Sequence, residues 1–175
     1  RSAEVPLHGA RGVTVDGPAA EPAAELALQR LFEDVHATRM KDLPLNNPNL
    51  RVEALGFRDW RDARVGALVT PWSVLLAILP ARTAAPDGGS VRRLGVGRTQ
   101  VWQFPSGEYE FHGHEAEGLG HYQQCSLFSP ALEFDSHEAA RVAALAALDA
   151  LFADPARAAP PEPRKVSRRG LLLGA

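Results

Sequence analysis

Four apolar residues near the start of the chain, Leu28, Leu31, Phe32 and Val35, recur at i, i+3, i+4 and i+7, the spacing of one helix face. Pro22 fits the first turn of that helix, and "LPLNNPN" (43–49) ends it. From Leu50 the period changes. Leu50, Val52 and Ala54 alternate, and the phase then slips at Leu55 and Phe57 around Gly56, which predicts a strand with a bulge. "RVGALVT" (64–70) and "WSVLLAILP" (72–80) are unbroken apolar runs, as expected of strands covered on both faces, with Pro71 forcing an edge or kink between them. "TQVWQF" and "EYEFH" around Pro105-Ser106-Gly107 predict a hairpin. Trp102 and Phe104 share one face of its first strand, and Tyr109 and Phe111 share one face of its second. "LGHYQQCSLFS" (119–129) predicts a last strand. The segment 135–152 predicts a second helix, capped by Asp135 with Glu138 three residues on, and with Val142, Leu145, Leu148 and Phe152 as its apolar stripe.

The order helix, strands, helix predicts an α+β fold: an antiparallel or mixed β-sheet with two main helices packed on it. Strand order does not follow from the pattern. Residues 1–20, rich in Gly, Pro and Ala and without periodicity, predict a flexible arm. Residues 21–153 predict a single domain, and 154–175 a Pro-rich linker with a basic tail. A chain of 175 residues is the size of one domain with a tail. The longest apolar stretch, Val65 to Pro80, is broken at Thr70-Pro71 and is shorter than the ~20 residues of a spanning helix, so it is expected in the core. No signal peptide opens the chain. Its start at Arg1, without an initiator Met, is read as truncated or processed.

Charge sharpens this division. The net charge of -2 hides a tail (153–175) with Arg157, Arg164, Lys165, Arg168 and Arg169 against Asp154 and Glu162, hence +3 there and -5 in the body. An acidic body argues against a nucleic-acid binder. A single cysteine, Cys125, excludes an internal disulfide and fits a reducing, cytoplasmic location.

Glycine-rich phosphate loops and nucleophile elbows are absent. His112 and His114 share a strand face at i and i+2, and His121 and Cys125 lie on the next segment. Together they suggest a mixed nitrogen and sulfur metal site; the competing reading is a polar, glycine-rich loop with solvated histidines. His121 and Cys125 are ~13 Å apart along one strand and need a bend to act as base and nucleophile. Otherwise Cys125 is a small buried hydrophobe. Among the clustered aromatics, Trp72, Trp102, Tyr109 and Tyr122 are candidate partner anchors on an exposed sheet face, against the alternative that they are core.

Three segments, "GFRDWRDARVGALVTPWSVLLAILP" (56–80), "WQFPSGEYEFHGHEAEGLGHYQQCSLFSP" (102–130) and "EFDSHEAARVAA", resemble the HybE/HupJ family of nickel-iron hydrogenase assembly chaperones. The likeness spans residues 20 to 153, with the "VTPW" turn, the "FPSGEYEF" hairpin and "GLGHYQQCSLFSP" as its most specific pieces. In some relatives a rubredoxin domain precedes this region; with one cysteine, residues 1–175 are not expected to hold one, and the truncated-looking start leaves open what once stood before Arg1. The resemblance implies an accessory protein, not an enzyme, without a resident cofactor. Its expected partner is a hydrogenase precursor subunit, met before cofactor completion and export, with other maturation proteins possible. The client is either the small subunit, through its twin-arginine signal, or the immature large subunit. In the latter case Cys125, matching the family's "CSLFSP" cysteine, is the candidate transient ligand for an iron fragment. The alternative is a metal or iron-fragment carrier using Cys125 and the nearby histidines.

The chain ends "RKVSRRGLLLGA" (164–175). Ser167, Arg168 and Arg169 followed by leucines are similar to the core of a twin-arginine export signal, at the wrong end of the chain. No apolar stretch or cleavage site follows, so it cannot direct export. Arg168 and Arg169 are expected either to mimic the client's signal, within the molecule or in self-association, or to belong to a solvated basic end.

Overall fold

The two unbroken apolar runs form the centre of a six-stranded, fully antiparallel sheet. The computed structural model describes residues 23–81 and 94–154. Helix α1 (Ala23–Val35), extended by a single wide π turn (His36–Met40), precedes strands β1 (Glu53–Trp60), β2 (Ala63–Val69), β3 (Val74–Pro80), β4 (Thr99–Phe104), β5 (Gly107–Ala116) and β6 (Gly120–Phe128), and helix α2 (His137–Phe152) closes the order. The strands lie in the order β1-β2-β3-β6-β5-β4, so β1 and β4 are the edges. β2 and β3 are buried along almost their whole length, because each face of the sheet carries a helix there.

Alternate residues of the same strands serve the two faces. Leu68, Leu75, Ala77, Leu79 and Tyr122 pack with Leu28 and Phe32 of α1. Val65, Ala67, Val69, Leu76 and Ile78 pack with Ala140, Ala144, Leu148 and Leu151 of α2. Burying one such leucine or phenylalanine contributes about 1.5–3 kcal/mol. The expected bulge lies in β1, whose register on β2 shifts between Leu55 and Arg58. Gly56 supplies its left-handed turn at φ 69°, and a Cβ there would stand 2.8 Å from the side chains of Leu145 and Leu148.

The sheet curls around α2. Trp60 on one edge strand and Phe104 on the other stack with ring centroids 6.0 Å apart, and both meet Phe152 of α2 edge-on. The α2 side is therefore the concave side. On the convex side α1 covers only part of the sheet, leaving Thr99, Val101, Gln103, Glu108, Glu110 and His112 of β4 and β5 exposed. The "FPSG" turn also closes the far end of α2: Ser106 donates from both its amide and its hydroxyl to the Leu151 carbonyl, at 3.3 and 2.8 Å. Tyr109 hydroxyl lies 3.0 Å from the same Ser106 oxygen. A terminal helix carbonyl thus gains the partners it lacks within the helix.

Two expectations for α2 are corrected. The N-cap is Ser136, not Asp135: its Oγ accepts the Ala139 amide at 3.2 Å, and Glu138 binds Arg141 at 2.9 Å instead of closing a box. Val142 is 59% exposed. The buried face is His137, Ala140, Ala144, Leu148 and Leu151. Alanines take the inner positions because a helix inside a curled sheet must approach the strands closely, and the larger Val142 is left facing solvent.

Candidate functional site

Three loops meet at the end of the sheet where β1 begins, and a buried asparagine joins them. Asn47 donates from its side-chain amide to the carbonyls of Ala131 and Phe134, at 2.9 and 2.8 Å. Its Oδ1 accepts the Asn49 amide, and its backbone amide donates to the Pro71 carbonyl. The "VTPW" turn is held internally, Thr70 Oγ1 accepting the Ser73 amide at 2.8 Å, and Pro71 sits in the turn, where no ladder donor is required. The Trp72 carbonyl accepts the Ala131 amide. The helix-ending "NNPN", "VTPW" and the segment after "CSLFSP" are therefore one construction.

That construction forms one wall of a groove between α1 and the free edge of β1. A cleft of about 500 Å³ is lined by Gln29, Glu33, His36, Leu50, Arg51, Val52, Glu53 and Pro71. A smaller one of about 130 Å³, lined by Glu25, Leu26, Gln29 and Ala54, continues it, with Gln29 common to both. Glu25, Gln29, Glu33 and His36 form one helical stripe along one side. Gln29 accepts the Ala54 amide, a donor of the open strand edge, and donates to Glu33 at 2.9 Å. Leu50, Val52 and Pro71 give an apolar floor. Glu53 is already engaged, by Arg141 Nε at 3.0 Å and by His137 Nε2 at 2.5 Å. His137 Nδ1 accepts the Arg51 amide, which leaves Nε2 as the proton donor to Glu53. Glu33, on the exposed rim, pairs with no cation among the described residues, whereas Glu25 is paired with Arg64 and is 7% exposed.

The residues singled out from the sequence are dispersed. Trp102 is only 4% exposed, and its indole N–H donates to Gln123 at 2.7 Å inside the concave face. Tyr109, half-buried, packs edge-on to Phe104 and bonds Ser106. The expected exposed aromatic face does not include these two: the sheet curls their side inward. Tyr122 is buried on the convex side, between His114 and Phe32. Trp72 stacks on Phe32 and His36, its rings partly exposed beside the groove. Arg168 and Arg169, like the 1–20 arm, lie outside the described residues.

The proposed metal set does not converge. Pairing of His112 with Gln124 and of His114 with Tyr122 puts both histidines on the convex face, while His121 and Cys125 alternate onto the concave one. Among the described residues no group of three or more His, Cys, Asp or Glu is placed to hold a metal ion. His114 is held below its usual pKa by burial and then by His112. Cys125, half-buried across from Leu76, has its thiol pKa raised by burial and then by the Glu110 charge. It is therefore a protonated thiol at neutral pH. We expect a disulfide reagent at pH 8 to modify Cys125 several-fold more slowly than a free small thiol, with the gap narrowing on unfolding. Reaction as fast as the free thiol would show the group to be exposed and ionised.

The groove was not legible in the sequence as a site. Its one advance signal was the asparagine-rich "LPLNNPN", which predicted only where a helix stops.

This is an α+β domain, an antiparallel sheet with a helix on each face, and its fold is that of the solution structure of HybE from Escherichia coli. The two superpose with a TM-score of 0.58 over 87% of this chain and 90% of that one, at 23% identity. A family model described as NiFe-hydrogenase assembly chaperone, HybE, matches residues 23–174. Protein HoxT of Cupriavidus necator is 38% identical over 155 residues, 84% of this chain and 86% of the relative. Hydrogenase expression/formation protein HupJ of Bradyrhizobium diazoefficiens is 33% identical over 148 residues, 82% and 83% of the two chains. The chain belongs to the HybE family of nickel-iron hydrogenase assembly chaperones, and it is not an enzyme. Among the described residues no helix is long and apolar enough to cross a membrane.

Proposed function

We propose that this chaperone binds a nickel-iron hydrogenase precursor in the cytoplasm before export, and that it takes the basic, leucine-bearing twin-arginine signal of the small subunit in the α1–β1 groove. One observation carries this reading: a groove with a carboxylate-bearing helical stripe on one side and an apolar floor of Leu50, Val52 and Pro71. A signal with adjacent arginines and following leucines offers the complementary pair of features. The -5 charge of the body steers such a segment toward the protein, acting more on association rate than on final affinity. Trp72, against the π turn at one end of the groove, is the aromatic best placed to support it.

The metal-carrier reading needs Cys125 together with the nearby histidines, and the separation of Cys125 from His112 and His114 by the thickness of the sheet does not support a shared site.

Titration of the chaperone with the small-subunit precursor, with and without its signal, tests the proposal. Binding should require the signal. Glu33→Lys should weaken it several-fold, mostly through slower association, and the difference should fade at high salt. Equal binding of the signal-free subunit would overturn the reading, and selective capture of the immature large subunit would replace the client.

A further inference from the structure

β1 is an edge strand, and the outward side of its first half is arranged to accept another strand. The Ala54 amide points away from β2 into the groove, where Gln29 Oε1 accepts it at 3.2 Å. A side-chain oxygen of α1 thus stands where the carbonyl of a neighbouring strand would stand. Backbone direction alternates along an extended chain, so the amide and carbonyl of Val52 face the same way as those of Ala54. Val52 lies before the β1–β2 register, which begins at Glu53, and it makes no loop bond among the described residues. Beyond Leu55 the edge closes. The register shifts there, Gly56 is left-handed, and such a bulge turns an edge away from pairing. The open edge is therefore short, from Leu50 to Leu55, about 17 Å. Leu50, Arg51, Val52 and Glu53 of this stretch line the larger cleft.

The two sides of the open edge differ in charge. Val52 and Ala54 belong to the α1 side of the sheet, where Glu33 pairs with no cation among the described residues. Arg51 and Glu53 alternate onto the α2 side. There Glu53 is engaged by Arg141 and His137, and the Arg51 side chain is 69% exposed. One side offers an unpaired carboxylate and the other an exposed guanidinium. Resting on the reading that the groove takes the small subunit's signal, we infer that the signal binds as an extended strand added to the free edge of β1, and that Glu33 engages only one of its two adjacent arginines. The backbone of the signal pairs with Val52 and Ala54 and displaces the Gln29 side chain from the Ala54 amide. Adjacent residues of a strand point to opposite faces. One arginine therefore lies on the α1 side against Glu33, and its neighbour lies on the α2 side, where Arg51 turns it to solvent. A leucine two or four residues after the first arginine shares its side, over the apolar floor. A helix in the groove would make none of these edge bonds, because its amides are spent internally.

A synthetic peptide of the small subunit's signal, titrated into the full chain, tests this in three arms. In the first, the peptide's amide bonds are replaced by esters one at a time, each removing a single N–H donor. A loss of about tenfold is expected at two alternate positions near the arginines, with little change at the position between them. Equal losses at consecutive positions, or none anywhere, overturn the added strand. In the second, Glu33→Gln is combined with alanine at each arginine of the peptide in turn. Coupling to one arginine alone is expected, and equal coupling to both, or to neither, overturns the assignment of Glu33. In the third, amide exchange is followed in the Gln29→Ala chain. The Ala54 amide should exchange faster than in the unaltered chain when the groove is empty, and slow again, together with that of Val52, when the peptide binds. An Ala54 amide left unprotected by bound peptide overturns the inference. Each of these failures leaves the peptide bound and the client reading intact, whereas a peptide that does not bind at all overturns both.

Discussion

Phe104→Ala should destabilise the domain by about 4 kcal/mol and lower its melting temperature by on the order of 10 °C. Phe104 is 2% exposed and meets Trp60, Tyr109, Phe111 and Phe152. Those four rings come from β1, β5 and α2, so the one side chain connects both edges of the sheet to the helix inside the curl. Truncation removes the six ring carbons from a cluster whose backbone is fixed on every side. The site can collapse only by flattening the sheet, which puts it at the costly end of such substitutions. Phe104→Leu, which keeps most of the volume, should cost about half as much. Urea unfolding followed by tryptophan fluorescence measures both, and Trp60 and Trp102 report directly on the affected region. A loss below about 1.5 kcal/mol for the alanine variant would mean that the two edges are not held together by this ring.

Much of this fold is written locally in the sequence. The bulge at Gly56, the doubly covered β2 and β3 and the "FPSG" hairpin all follow from short-range periodicity, which responds to which face of an element is wet. The curl of the sheet does not. Alternation shows that Trp102 and Phe104 share a face, but not that this face becomes the inside of a half-barrel. The same gap explains α2. Where a helix is drawn into a concave sheet, Ala140 and Ala144 make its closest approach, and a search for large apolar residues finds Val142 instead. The side of the sheet each histidine faces was legible in principle, since the short β5–β6 turn fixes Glu115 opposite His121 and so places His114 and His121 on different faces. The groove was not, because it depends on β1 being an edge strand, and strand order is a property of the whole sheet. The residues that mark it, Glu25, Gln29 and Glu33, look in the sequence like the ordinary polar face of an amphipathic helix.

Asn47→Ala should cost about 3 kcal/mol and remove client binding at temperatures where the sheet remains intact. Asn47 is 4% exposed, and its amide is the donor for two buried carbonyls, those of Ala131 and Phe134. Alanine leaves both without that donor, at roughly 1–3 kcal/mol each before relaxation, and also frees the Asn49 amide. Asn47→Asp is the sharper variant. It keeps the size and the acceptor oxygen but offers no N–H, and it sets a negative charge against two carbonyl oxygens, so it should be at least as damaging as alanine. None of these bonds lies within the sheet. The loss falls on the loops that carry Leu50, Arg51 and Val52 on one side and Pro71 on the other, which together make one end of the groove. Amide exchange should therefore quicken first in residues 46–53 and 129–137, with β2 and β3 protected as before. If both variants unfold the sheet and the loops in a single step, Asn47 belongs to the stability of the whole domain. If the loops loosen and the client still binds with unchanged affinity, the signal does not occupy this groove.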